Sequence, residues 1–356
     1  MAAKKKPISS GKKIQSSNGE VPKGRRAVII GGVRTPFVRA FGEFMLLDTI
    51  ALAGVATKAL LDKTQVPRSE LDGIVWGGVI LPTLSPNIAR EVALDLKLPA
   101  GVEGYTVTRA CASGLQAITD AVSAIERGDA DVLIAGGSDS TSNAAVALPN
   151  KAVHALAPLA FGKAKGMQDY LGVLAQLMPL SDIMPSMPKI AERTTGEVMG
   201  ESAEKMARRN GITRQEQDAL AARSHRLAAA AVSSGRFESE VIPVETSKGW
   251  VHADTIIRGD TSEEKLAKLR PVFAKDGTVT AGNATPLTDG ASCILLMSEE
   301  KAEALGFTGL AAFRSWSYVG VDPTDQLLIG PAIAMPRALE RAGLELGDVD
   351  LVDIHE

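Results

Sequence analysis

Cys111 stands in Val107-Thr108-Arg109-Ala110-Cys111-Ala112-Ser113-Gly114-Leu115-Gln116-Ala117. A β-like segment precedes it. Leu115, Ile118, Val122 and Ile125 follow at helical spacing, so the thiol falls at a helix N-terminus. Unpaired N–H groups and the positive end of the helix dipole favour a thiolate there, and the thiolate is the nucleophilic form. The small neighbours Ala110, Ala112, Ser113 and Gly114 leave room for a substrate carbonyl. The Cys111 N–H is placed to donate to an oxyanion, as at strand-to-helix nucleophile elbows. The chemistry expected is attack by sulfur on a carbonyl carbon; the alternative is a free cysteine serving only as a small apolar side chain. Cys293, inside the apolar run 291–297, reads as that buried kind.

The other reactive side chains say less. His154 and His252 lie in segments without a clear period, and His225 lies in an Ala-rich helix; all three read as non-catalytic. No Gly-x-Gly-x-x-Gly, P-loop or His-Glu-x-x-His is present, so nucleotide chemistry and zinc hydrolysis have no support. With two cysteines there is neither a disulfide framework nor a Cys-rich zinc site, and thiols in a reducing compartment are expected.

Several elements must position Cys111. Residues 27–30 read as a buried strand running into Gly31-Gly32, and 46–62 have helical apolar spacing. Residues 71–79 form a short apolar strand, and Ser85-Pro86 opens a helix over 86–96. Residues 105–108 are β-like, Gly128 ends the helix after Cys111, and 131–135 form a buried strand closing on Gly136-Gly137. Such alternation indicates an α/β layered fold with a largely parallel sheet. Residues 151–190, with four prolines and no period, read as an irregular, partly apolar excursion that packs, lines an apolar tunnel or docks on lipid. Thr213 and Glu216 form a capping box for a long helix ending before Gly235. Strands over 278–281, 291–297, 310–316 and 349–354 and helices over 299–305 and 332–342 complete the expectation. The late order, offset by roughly 280 residues, resembles the early one, as a duplicated α/β domain would leave it.

Composition narrows the partners. The 356 residues are 45% hydrophobic, 23% charged and 4% aromatic, which fits a globular chain able to bury a core without metal or disulfide staples. Net charge is −3, yet residues 1–26 carry eight Lys/Arg against one Glu, leaving −10 on the remainder. A body this acidic is a poor candidate for nucleic acid, whose binding depends on neutralising phosphates. The basic tail, 1–26, reads as disordered, with tethering to anionic lipid or a partner as the alternative. No stretch is apolar for the ~18 residues that a transmembrane helix needs.

Five segments carry a resemblance to the thiolase family: Arg34-Thr35-Pro36-Phe37, the Cys111 segment, Gly136-Gly137-Ser138-Asp139-Ser140, Lys268-Leu269-Arg270-Pro271, and the run from Gly277 through Gly282-Asn283-Ala284-Thr285 to Gly290. His355-Glu356 resembles the start of the corresponding motif in β subunits of fatty-acid-oxidation trifunctional complexes, as does the Pro-rich region 151–190. The resemblance implies a duplicated α-β-α layered fold: a first half over 27–150, a loop domain over 151–276, return strands over 277–306, and a second half from 307 that is incomplete. It implies cleavage of a 3-ketoacyl-CoA by CoA through an acyl-Cys111 intermediate, with His355 in an oxyanion hole and Arg258 and Thr285 contacting CoA. CoA and acyl-CoA are then substrates, no metal or permanent cofactor is needed, and the partners implied are a second copy of the chain and a hydratase/dehydrogenase subunit. Membrane contact is a further expectation for 151–190, and a bacterial cytoplasm or a mitochondrial matrix is the compartment implied.

The family's Gly-His-Pro motif, which carries the base, and its Cys-x-Gly-Gly-Gly motif, which carries the acid, are absent. The expectation is therefore a thiolase shortened by about 70–80 residues on the duplication argument, lacking turnover by itself. Biosynthetic acetoacetyl-CoA thiolase is the related alternative. A ketoacyl-synthase-like enzyme is disfavoured by Arg-Thr-Pro-Phe and Gly-Asn-Ala-Thr. A non-catalytic CoA-binding or assembly subunit is the alternative from another class.

Overall fold

The computed structural model describes residues 24–146, 148–184 and 191–354. In chain order the elements are β1 (Ala27–Arg34), β2 (Val38–Arg39), α1 (Thr49–Thr64), β3 (Gly73–Gly77), α2 (Ile88–Asp95), β4 (Glu103–Val107), α3 (Ser113–Arg127) and β5 (Val132–Ser140). Then come α4 (Asn150–Ala160), α5 (Met167–Gln176), α6 (Met199–Arg209), α7 (Arg214–Ser233), β6 (Val244–Thr246), β7 (Gly249–Val251) and α8 (Glu263–Leu266). The chain continues through β8 (Thr288–Ser298), α9 (Glu299–Ala304), β9 (Ala311–Ala312) and α10 (Gly330–Ala342).

The main sheet runs β4-β3-β5-β8-β1-β9, with β2 paired to β8. Strands β4, β3 and β5 are mutually parallel, and β8 runs antiparallel between β5 and β1. Period-2 alternation sends Ile74, Trp76, Val132, Ile134, Leu295 and Met297 to one face, against α1 and α2. Val75, Leu133, Ala135 and Leu296 face the other way, against Ala117, Ala121, Val122 and Ile125 of α3. Both faces are therefore covered, as near-continuous apolar strands require. At about 25 cal/mol per Å² of apolar surface removed from water, this two-sided burial is the main stabilising term.

The antiparallel insertion of β8 has a consequence for the site. The C-terminal ends of β4, β3, β5 and β1 lie along one sheet edge, and β8 enters the sheet at that same edge through Thr288 and Asp289. Open α/β sheets bind ligands outside the carboxyl ends of their strands. Chain topology thus brings Cys111, Gly136–Ser140, Arg34-Thr35-Pro36-Phe37 and the Gly-Asn-Ala-Thr loop to one border.

Several expectations are corrected. The second helix starts at Ile88, because Asn87 rather than Ser85 accepts the N–H of Arg90 and acts as N-cap. Residues 278–281 are not a strand. Carboxylate Glu204 and amide Asn283 take the N–H groups of Thr278, Val279 and Thr280 that a ladder would need. Residues 349–354 form no strand, since none of the described strands pairs with them, and Leu351, Val352 and Ile354 are exposed. Of 310–316 only Ala311 and Ala312 pair, with Ile29 and Val28. The excursion 151–190 contains two helices, α4 and α5, with Pro158 inside the first. They bury Ala152, Ala155 and Val173 but leave Phe161, Met167, Leu171 and Leu174 exposed, so most of the apolar excess lies outside the core. Residues 1–23 of the basic tail lie outside the described residues; Arg25 is no part of a loose tail, because it pairs with Asp131.

Candidate active site

The path from β4 to α3 is a five-residue turn. The N–H of Arg109 donates to Ser113 Oγ at 2.8 Å, and that hydroxyl donates to Ala110 O at 2.6 Å. The N–H of Ala112 reaches Arg109 O at 3.0 Å, and that of Ser113 reaches Ala110 O at 3.1 Å. Ala110 is held at φ 44°, in the left-handed region that costs a residue bearing Cβ about 1–2 kcal/mol. The strain is located one residue before the exposed Cys111, and Ala112 is the N-cap of α3. The thiol is therefore presented at the start of a four-turn helix, as its spacing implied.

Close approach underneath explains the glycines. A Cβ on Gly77 would lie 2.4 Å from the Ser113 carbonyl carbon and 2.7 Å from Gly114 N. One on Gly136 would lie 2.5 Å from Ser292 O and 2.7 Å from the Trp76 ring. Strand β3 thus presses directly against the beginning of α3 at Gly77, while Gly136 makes room for β8 and the Trp76 ring. Gly77→Ala is expected to cost about 1–3 kcal/mol by overpacking and to push the elbow outward. A thermal melt and the rate of Cys111 alkylation check this; a variant unchanged in both would contradict it.

The other motif residues are largely structural. Arg34 holds Asp254 through two parallel bonds of 2.7 and 3.1 Å and reaches Glu240 at 3.2 Å, while Asp254 also accepts the N–H of Phe37 at 2.7 Å. Ser138 accepts from Trp76 Nε1 and donates to Thr49 O, and Ser140 donates to Leu47 O. Burial pushes the Asp139 carboxyl up, against the N–H groups of Ile80 and Val79 that pull it down.

Asn283 uses its whole amide inside the loop. Its Oδ1 accepts from Thr280 N at 2.7 Å, and its Nδ2 donates to Asp218 Oδ1 at 2.9 Å and Thr278 O at 3.0 Å. Two buried carboxylates, Glu204 on α6 and Asp218 on α7, brace this loop; sequence reading missed both. Their signal was present in the i,i+4 pairs Glu204–Arg208 and Arg214–Asp218, which look the same as ordinary surface pairs in a sequence.

Thr285 is exposed, two residues beyond Asn283 and three before β8. Arg258 is exposed beside α7: its N–H donates to His225 Nδ1 at 3.2 Å, and Nη2 lies 3.3 Å from His225 Nε2. An exposed guanidinium suits a phosphate. His154 sits exposed on α4 rather than in an irregular stretch, and His252 is exposed near Trp250. His355 lies outside the described residues. Cys293 is buried on β8, and burial pushes its thiol far up, so it stays protonated and unreactive. Two open hollows of about 520 and 460 Å³ flank β1 and include neither Cys111 nor Arg258. Among the described residues no cluster of metal-ligating side chains is present, and no helix is long and apolar enough to cross a membrane.

Residues 27–300 match the family model of the thiolase N-terminal domain, and 307–356 match that of the thiolase C-terminal domain. A curated 3-ketoacyl-CoA thiolase of Aliivibrio fischeri (strain ATCC 700601 / ES114) is 42% identical over 336 residues, which are 94% of this chain and 75% of the relative. The crystal structure of the Bacillus anthracis acetyl-CoA acetyltransferase superposes with TM-score 0.78 at 34% identity, covering 92% of this chain and 79% of that one. The crystal structure of human mitochondrial 3-ketoacyl-CoA thiolase in complex with CoA gives TM-score 0.78 at 30% identity, over 92% and 78%.

Proposed function

This chain belongs to the thiolase family, and on that premise we propose that it is a 3-ketoacyl-CoA thiolase of fatty-acid oxidation whose acyl carrier is Cys111. The observation that carries the reading is the exposed thiol on a strained turn at the N-terminus of α3, beside a second cysteine whose burial rules it out. In the reaction, Cys111 Sγ bonds to the keto carbon and the bond to the adjacent carbon breaks. The departing carbanion takes a proton and leaves as acetyl-CoA, and the thiol of free CoA then takes the acyl group from sulfur. Arg258 is assigned to a CoA phosphate, Thr285 to the pantetheine arm and His355 to the thioester oxyanion. The substrates need no metal or permanent cofactor, because the thioester stabilises the carbanion and hydrogen-bond donors stabilise the oxyanions.

Cys293 is too deeply buried to be the second thiol. The biosynthetic acetoacetyl-CoA reading has one point in its favour, the 34% identity to an acetyl-CoA acetyltransferase; the 42% identity to a 3-ketoacyl-CoA thiolase supports the degradative one.

A homodimer is part of the same proposal. Strand β4 is the sheet's outer strand, with Tyr105 exposed upon it, and an open edge is a template for a second copy. Tyr105→Lys is expected to halve the mass seen by sedimentation; a monomeric parent chain would contradict the dimer. A hydratase/dehydrogenase subunit as further partner, membrane contact through α4 and α5, and a bacterial cytoplasm or mitochondrial matrix as compartment are supported by the resemblance alone.

A further inference from the structure

We propose that Tyr318 is a positioning residue for the Cys111 nucleophile, acting through the Arg109 side chain and the Thr119 hydroxyl. The proposal rests on the acyl-carrying role of Cys111 given above. Tyr318 belongs to the segment between β9 and α10, far in sequence from the elbow, and is half-buried. The Arg109 guanidinium lies 4.4 Å above its ring centroid, within the range of a cation–π contact. Its hydroxyl lies 2.7 Å from Thr119 Oγ1. Thr119 is buried and gives its own proton to Gln116 O at 3.1 Å, so Tyr318 is the donor of the shared bond. Burial pushes the Tyr318 phenol up, which keeps that proton in place.

The contacts close into a ring. Arg109 Nε donates to Gln116 Oε1 at 2.6 Å, and Gln116 Nε2 donates to Asp120 Oδ1 at 2.5 Å. Gln116, Thr119 and Asp120 all lie on the first turns of α3. Arg109 is thereby held by its side chain between the Tyr318 ring and Gln116, while its main chain supports the turn. Its N–H is bound to Ser113 Oγ and its carbonyl to Ala112 N. Those bonds hold Ala110 at positive φ and set where Cys111 points. A guanidinium released from the Tyr318 ring would leave the strained turn free to relax. The consequence is that the segment after β9 bears on the nucleophile without touching substrate.

The test is the rate of iodoacetamide alkylation at each cysteine of the full chain, resolved by peptide mapping. Tyr318→Leu removes ring and hydroxyl and is expected to slow Cys111 alkylation about tenfold, with Cys293 still protected. Tyr318→Phe keeps the ring and is expected to restore the rate to within about threefold, which a merely structural role would not single out. Arg109→Gln is expected to slow the reaction to a similar degree, and the double variant with Tyr318→Leu to be slowed by clearly less than the product of the two single effects, because the shared contact is lost only once. The proposal is overturned by a Tyr318→Leu rate within twofold of the parent, by additive effects in the double variant, or by Cys293 becoming labelled alongside Cys111. If Tyr318→Leu does not fold, the comparison of Arg109→Gln with Tyr318→Phe decides in the same way. The function of Cys111 itself is tested apart, by acetyl transfer to the parent chain.

Discussion

Cys111→Ser is expected to lower transfer of an acetyl group from acetyl-CoA to the protein by about 1,000-fold or more, with the melting temperature unchanged. The two halves of this expectation have different origins. Cys111 is exposed and accepts no packing that serine would lose, so stability is indifferent to the change. Reactivity is not, because a serine hydroxyl at the same elbow ionises many orders of magnitude less readily than a thiol. The elbow bonds run through Arg109, Ala110, Ala112 and Ser113, and none of them uses the sulfur. The variant therefore isolates chemistry from geometry. Radiolabelled acetyl-CoA and gel counting measure it; residual labelling near the parent level would mean that another nucleophile carries the acyl group.

Glu204→Ala is expected to produce the largest loss of stability, about 2–4 kcal/mol, and to loosen the Gly-Asn-Ala-Thr loop with it. Glu204 is buried on α6 and accepts from Thr278 N at 2.8 Å, Val279 N at 2.9 Å and Thr278 Oγ1 at 3.1 Å, with Arg208 Nε at 3.7 Å. Alanine strands two main-chain donors and a hydroxyl, the Val279 N–H buried and the Thr278 groups partly so. Burial alone would push the Glu204 carboxyl up, but these donors and the Arg208 charge outweigh it and hold the group below its usual range. The sign of the pH effect follows. A folded-state pKa below the unfolded value of about 4.3 gives stability that is full above that pH. That stability is lost as the pH falls through the folded value. Denaturant midpoints of parent and Glu204→Gln measured from pH 7 to pH 3 should converge on the acid side, and a constant gap would contradict the assignment.

How much of this was legible beforehand follows from which signals are local. The Cys111 elbow was legible because a strand, a helix face and small residues meet within eleven positions. The capping box at Thr213 and Glu216 was legible for the same reason and is formed, with Thr213 Oγ1 accepting from Glu216 N. Residues 278–281 misled because their β-branched character is real while their N–H groups are claimed by Glu204, about 75 positions away. Residues 349–354 misled because a strand is a property of a pair, and alternation alone supplies no neighbour. The helices in 151–190 were hidden by prolines and by an outer surface as apolar as the inner one, which erases the period. Asp254, which organises Arg34 and Phe37 together, and Tyr318, which meets Arg109, are contacts across about 210 to 220 positions and leave no local trace.

The resemblance to thiolases rests on motifs whose residues are mostly structural here. Arg34, Ser138, Ser140 and Asn283 spend their polar groups on the fold, and Gly77 and Gly137 allow the strands to reach α3. What they surround is one exposed thiol, that of Cys111. The most direct measurement is therefore where the acetyl group goes when the 356-residue chain is mixed with acetyl-CoA and digested for mass spectrometry. The result expected is a single thioester on the peptide bearing Cys111, removed by added CoA. Acetyl found on Cys293 or on lysines, or a Cys111 peptide that remains unmodified, would contradict the account.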